Sequence, residues 1–258
     1  MSGDALVGAT GFVGGNLMRS HAFTDAFSSA NIADMEGRDY DLVVFSAARA
    51  EKWRINQDPE ADLVHIRELE RILTTFRTRR LVLVSTVDVY GHPVGVDELT
   101  PVPEPGLHPY GAHRLELEEF ARGRFDDVLV ARLPGLFGPG IKKNVIYDLL
   151  HDNGLDRVDR RGSFQYYDLT RLWDDLQVAL QHRLTLLNLA TEPVTTEVVA
   201  RECFGVEFAN ELPSSPPGRY DMRTIHAGAF GRTGPYLYSA DEILAALREF
   251  VSSERNAA

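Results

Sequence analysis

The chain has 258 residues, 44% of them hydrophobic and 25% charged, enough for one large α/β domain carrying a lobe or for two small domains. A formal net charge of -11 disfavours a nucleic-acid backbone as partner. No apolar run approaches the ~20 residues of a membrane span, and no basic segment followed by an apolar one opens the chain, so neither membrane insertion nor a signal peptide is expected. Cys203 is the only cysteine; it reads as a buried small hydrophobe, excludes an internal disulfide and suits a reducing, cytoplasmic location. The eight histidines have no metal-ligand spacing, so no metal is expected.

Taken in order, strand-like and helix-like segments alternate. An apolar strand over 5–7 runs into a glycine-rich turn and then a helix over 13–20. A buried strand is expected over 41–46, and a long helix over 58–77, with Leu63, Ile66, Leu69, Ile72, Leu73 and Phe76 at helical spacing. Another apolar strand covers 81–85, a helix 110–122 and a strand 128–132. Continuous apolar strands separated by helices predict a parallel sheet covered on both faces, a doubly wound α/β fold. After Gly138-Pro139-Gly140 the alternation weakens. There the pattern predicts helices over 145–151, 168–182 and 240–251, a strand over 185–189, and a loop over 213–218. The arginine groups 77, 79, 80 and 157, 160, 161 read as solvated ends of elements.

Gly8, Gly11 and Gly14 sit between the first strand and the first helix. Such a turn lets backbone approach a pyrophosphate, which then rests on the helix N-terminus. Glycine is needed because a β-carbon would block that approach or the dihedrals involved. The alternative is a tight turn with a purely structural role.

Three further motifs follow in order: Ser85-Thr86-Val87-Asp88-Val89-Tyr90-Gly91 after a strand, Tyr110-Gly111-Ala112-His113-Arg114 opening a helix, and Arg132 to Gly140 after the next strand. With the glycines, they resemble the extended short-chain dehydrogenase/reductases, the nucleotide-sugar epimerases and dehydratases, over nearly the whole chain. The resemblance implies a Rossmann domain over 1–140 completed by about 168–190, and a small substrate lobe from 141–167 and 191–258. It also implies that Thr86 and Tyr110 are the catalytic hydroxyl and the tyrosine that exchanges a proton during hydride transfer. Gly8, Thr10, Gly11, Phe12, Val13, Gly14, Ser28, Ser29, Ala47, Ala48, Arg49, Ser85, Tyr110, Arg114 and Pro134 would line the dinucleotide. Lys142, Lys143, Asn144, Gln165 and Tyr166 would meet the substrate, with a solvated basic dipeptide as the alternative for the two lysines. Tyr220 to Arg223 could line the same pocket.

The chain departs from the pattern at four places. The family's lysine, four residues after the tyrosine, is Arg114. Its charge can act on Tyr110 across one helical turn, but it cannot give up its proton. Asp88 stands where dehydratases of the family carry a glutamate; it is either an acid/base group or a carboxylate capping a turn. Gly135 replaces a substrate-contacting asparagine, and His65 stands near another expected asparagine. The stretch 27–31 lacks the carboxylate that many NAD enzymes place after the second strand, and Asp25 comes too early. Ser28, Ser29, Arg38 and Arg49 suit a 2′-phosphate, so NADP is favoured over NAD. The resulting expectation is an NAD(P)-dependent enzyme acting on a sugar nucleotide, with a homodimer possible. A carbonyl reductase and a non-catalytic NAD(P)-binding protein are the alternatives.

Overall fold

The structure is a computed structural model and describes residues 3–102, 106–213 and 216–257. In chain order the first half runs β1 (Asp4–Val7), α1 (Phe12–Ser20), β2 (Asp25–Phe27), β3 (Asp39–Phe45), α2 (Lys52–Gln57), α3 (Pro59–Leu73), β4 (Arg77–Thr86), β5 (Val94–Val96), α4 (Pro109–Arg124) and β6 (Val128–Leu133). It continues through β7 (Gly135–Phe137), α5 (Val145–His151), β8 (Ser163–Phe164), β9 (Tyr166–Asp168), α6 (Leu172–Gln181), β10 (Leu186–Asn188), β11 (Val194–Thr195), α7 (Thr196–Val199), β12 (Asp221–Met222) and α8 (Ala240–Ala257).

Six strands pair in the order β10-β6-β4-β3-β1-β2, and every pairing in this sheet is parallel. Strand side chains alternate between faces, and the core divides accordingly. Leu6, Val44, Val82 and Leu129 join Leu17 of α1, Leu176 of α6 and Leu247 of α8 on one face. Ala5, Val43, Phe45, Leu81 and Leu83 join Ile66 and Leu69 of α3 and Leu117 of α4 on the other. The doubly wound fold expected from the apolar runs is the one observed. From β1 the chain winds outward to β2 and then back to β3 on the opposite side. The crevice beyond the C-termini of β1 and β3 is therefore the topological switch point, where ligands bind in such sheets.

Several boundaries differ from expectation for physical reasons. The helix expected over 58–77 ends at Leu73, and β4 starts at Arg77, four residues before its apolar run. This polar start pairs with the equally polar start of β3, where Arg77 meets Asp39 at 2.6 Å and Arg79 meets Asp41 at 3.2 Å. Arg160 and Arg161 of the second group are likewise paired, with Asp159, Glu197 and Glu211. The expected helix over 168–182 begins as a tighter turn at Leu169–Arg171 before α6. The short helix α2 had no clear signal in the sequence. Of the expected loop 213–218, residues 214 and 215 lie outside the described residues. Cys203 is buried and free.

Candidate active site

The glycine turn is built as its spacing suggests. Gly8 has φ +92, and a β-carbon there would stand 2.7 Å from the Ser46 carbonyl at the end of β3. A β-carbon on Gly14 would stand 2.1 Å from the Gly8 carbonyl oxygen, so α1 can pack on the turn only with glycine at that position. Gly11 differs. It is exposed, has an ordinary φ of -75, and its added β-carbon would meet only the Gly8 oxygen, at 3.3 Å. No side chain caps α1, so its first N–H groups remain available, as at any uncapped helix start. This open cradle fits a pyrophosphate. Thr10 is exposed beside it, and Phe12 and Val13 are half-buried.

Around the rest of the crevice, Ala47 and Ala48 follow β3, and the Ala47 carbonyl lies 3.3 Å from the His65 ring nitrogen. At the end of β2 the Asn31 side chain holds the Ser28 N–H at 2.7 Å, and Ser29 is exposed. Asp25 sits at the start of that strand and accepts from Arg38 at 3.0 Å and Tyr40 at 2.9 Å. The β2 end thus presents hydroxyls and no carboxylate. Arg49 is exposed, while its carbonyl accepts from Arg114. Pro134 is buried directly after β6.

Thr86 ends β4, and its hydroxyl accepts the Asp88 N–H at 3.2 Å in the tight turn Val87–Tyr90. Tyr110 opens α4 and is only 7% exposed. Gly111 explains how the two come together: a β-carbon on it would stand 2.4 Å from the Asp88 carbonyl oxygen. Its absence lets the start of α4 close onto the turn. His108 caps this helix by accepting the Gly111 N–H at Nδ1, 3.1 Å away, and the Asn56 side chain of α2 accepts the Tyr110 N–H at 3.1 Å. Burial pushes the Tyr110 phenol above its ordinary value. The Arg114 guanidinium opposes that shift, Asp88 adds to it, and the nearby Thr86 hydroxyl and Lys52 ammonium oppose it.

Arg114 lies with its guanidinium 4.8 Å from the Tyr110 ring centre. It is buried and forked onto Asp62 at 3.1 and 3.3 Å, and also donates to the Arg49 carbonyl. Asp62 takes His113 as well, at 2.8 Å. Burial would raise the Asp62 carboxyl, but the hydrogen bonds from Arg114 and His113 and the Arg114 charge hold it below its ordinary value. Arginine at this position is therefore a fixed, carboxylate-paired charge.

Asp88 accepts from the Lys52 ammonium at 2.7 Å and from the Tyr220 hydroxyl at 3.3 Å. Lys52 also donates to the Tyr220 hydroxyl at 3.2 Å, and His108 Nε2 stands 3.9 Å from Asp88. The Asp88 N–H is held by Thr86, while its carboxylate is not a turn cap; it faces a lysine, a tyrosine and a histidine. Neither Lys52 nor His108 was marked by the sequence reading, because α2 falls in a polar stretch and neither residue sits in a recognisable motif.

Four expected contact residues are corrected by their surroundings. The Ser85 hydroxyl donates inward to the buried Glu118 at 2.5 Å, where Arg132 also binds. Gln165 is 1% exposed, with its amide on the Thr191 and Met222 carbonyls. Tyr166 is buried in the core below the sheet. Asn144 caps α5 through Ile146 and Tyr147 and donates to the Leu136 carbonyl. Ser85, Gln165 and Asn144 have polar groups engaged by the protein itself, whereas Tyr166 is buried with its hydroxyl unpartnered. Lys143 reaches the Ala50 carbonyl, and Lys142 remains exposed. Gly135, where the family pattern has asparagine, opens β7 so close to β9 that a β-carbon would stand 2.7 Å from the Gln165 carbonyl oxygen. Among the described residues no cluster of side chains could hold a metal ion, and no helix is long and apolar enough to cross a membrane.

This parallel sheet, with its glycine turn at the switch point, is the fold of solved sugar-nucleotide epimerase, dehydratase and reductase structures. Among solved structures with that fold, MoeE5 in complex with UDP-glucose and NAD is 19% identical, with a TM-score of 0.73 over 98% of this chain and 99% of the other. The UDP-glucose 4-epimerase of Thermotoga maritima, with UDP-glucose, is 16% identical, with a TM-score of 0.72 over 100% and 99%. The RMD protein of Pseudomonas aeruginosa, complexed with NADPH, is 19% identical, with a TM-score of 0.71 over 98% and 100%. No protein-family model matches the chain, and no curated protein matches it.

Proposed function

We propose that the protein is an NAD(P)-dependent enzyme that modifies a sugar nucleotide, as an epimerase or dehydratase, with Tyr110 as its acid/base. The observation that carries this reading is the convergence of Thr86 and Tyr110 at the sheet edge beside the glycine turn, enforced by the Gly111 contact. Gly11 and the start of α1 would seat the pyrophosphate, and Ala47, Ala48 and Arg49 would flank the dinucleotide. The absence of a carboxylate after β2, with Ser28 and Ser29 there instead, supports NADP over NAD. The dinucleotide, when bound, supplies hydride acceptance and return.

The chain's own residues handle the proton. Thr86 orients the substrate oxygen, and Tyr110 takes or returns its proton. Arg114 favours the phenolate that forms, and the buried setting strengthens that interaction. The segments 141–167 and 191–258 would cover the sugar nucleotide. From them Tyr220 supplies a hydroxyl on the Asp88 side, and the exposed Lys142 would meet a diphosphate. The solved structures of this fold that hold UDP-glucose, NAD or NADPH support the choice of ligand class.

The test is a panel of sugar nucleotides incubated with the protein and each dinucleotide, with products identified by mass spectrometry. Tyr110→Phe is expected to retain the dinucleotide and lose turnover by ~10²-fold or more, the scale of general acid/base catalysis. Turnover by Tyr110→Phe equal to the parent's would refute the assigned role.

A further inference from the structure

We propose that Lys52 is a second positioning residue for the Tyr110 phenol: its ammonium, paired with Asp88 on the open side of the site, sets the ionisation of Tyr110 jointly with the buried Arg114. This rests on the reading of Tyr110 as the acid/base, and it assigns part of that task to a residue outside the family's motif.

The argument begins with α2. Asn56 accepts the Tyr110 N–H at 3.1 Å, which packs this helix against the start of α4. Lys52 is one turn earlier, at i, i+4, and so shares the Asn56 face. Its ammonium is then fixed by Asp88 at 2.7 Å and the Tyr220 hydroxyl at 3.2 Å. Asp88 is two residues beyond Thr86, and Gly111 holds the Asp88 carbonyl against the residue after Tyr110. His108, whose ring stacks 6.3 Å from that of Tyr110, stands 3.9 Å from the same Asp88 carboxylate, so the Lys52–Asp88 pair lies on the His108 side of Tyr110, and the Arg114 guanidinium lies 4.8 Å from the ring centre.

The two cations are not equivalent. The Arg114 side chain is 3% exposed and locked to Asp62, whereas that of Lys52 is 38% exposed and can exchange protons with solvent. The groups acting on the phenol are Arg114, Asp88, Thr86 and Lys52, with the His108 ring stacked beside it and Tyr220 bonded to Asp88. Of these, Lys52 is raised above its ordinary value by Asp88 and Tyr220 against the effect of burial, and His108 is lowered by burial and by Lys52. The ammonium is consequently the permanent charge on the open side at neutral pH, and His108 stays neutral there.

The experiment replaces Tyr110 in the full chain by 3,5-difluorotyrosine, which is intrinsically more acidic, and follows its titration by ¹⁹F NMR. In the Lys52→Met background the midpoint is expected to rise by about one pH unit, as for loss of a nearby opposite charge. Lys52→Arg should leave it in place, and Asp88→Asn should lower it. Lys52→Gln repeats the first measurement should Lys52→Met fold poorly. An unchanged midpoint on loss of the Lys52 charge overturns the proposal, as do shifts of the same sign in Lys52→Met and Asp88→Asn, which would signify general loosening. Dinucleotide binding is measured on the same samples. A parent that binds none but shows the opposite-signed shifts loses the proposed function and keeps this assignment.

Discussion

At the scale of single residues, the centre of the site is the arrangement Asp62–Arg114–Tyr110. A buried ion pair contributes little over a well-packed apolar pair, but removing one partner strands the other charge. Arg114→Met leaves Asp62 only His113 and the protein interior, so a loss of about 3 kcal/mol is expected in urea unfolding. The pH dependence follows from the sign of the Asp62 shift. Its carboxyl is held low in the folded state by Arg114 and His113 against burial. Its contribution to stability is thus complete above the ordinary carboxylate value of about 4 and disappears as pH falls through the lower folded value. Between those two values the parent should lose stability on acidification more steeply than Asp62→Asn. Equal slopes would mean that Asp62 is not held low.

At the scale of elements, close contacts besides that of Gly8 join the elements around the site, and each depends on a missing β-carbon. Gly14 sets α1 on the turn, Gly135 sets β7 on β9, and Gly111 sets α4 on the Asp88 turn. Gly111→Ala should push the start of α4, with Tyr110, away from Thr86. A displacement on the scale of 1 Å is expected to cost ~10²-fold in kcat, with dinucleotide affinity unchanged. Unaltered kcat in that variant would show that the contact does not position Tyr110.

The central strands were legible because continuous apolar runs such as Leu81–Val84 have few other uses in a soluble chain. The start of β4 was not, since Arg77, Arg79 and Arg80 read as solvated ends of elements until Asp39 and Asp41 on the neighbouring strand pair with two of them. The glycine turn was legible from its spacing together with its place between a strand and a helix. The roles of Ser85, Asn144 and Gln165 were not: Asn144 is the local cap of α5, and the roles of Ser85 and Gln165 are each decided by a buried partner from a distant segment, Glu118 and Met222 respectively. Lys52 escaped notice for the same reason. Its partners, Asp88 and Tyr220, are 36 and 168 residues away.

At the scale of the whole molecule, the sheet brings the glycine turn, the Thr86 end of β4 and the start of α4 to one edge, and Tyr220 crosses from the C-terminal part to meet Asp88 there. Every step assigned to these residues presupposes that a nicotinamide dinucleotide lies along that edge. Gly11 is the position at which the presupposition can be tested with least disturbance of the fold, since its backbone suits any residue and an added β-carbon meets only the Gly8 carbonyl oxygen, at 3.3 Å, a contact relieved by a shift of a few tenths of an ångström. The decisive measurement is calorimetric titration of the parent and Gly11→Val with NADP and NAD, with circular dichroism confirming that both are folded. The account predicts binding to the parent, tighter for NADP, and a loss of ~10²-fold or more in the variant, because the valine side chain occupies the pyrophosphate seat. A folded parent that binds neither dinucleotide, or equal affinity in Gly11→Val, would contradict it.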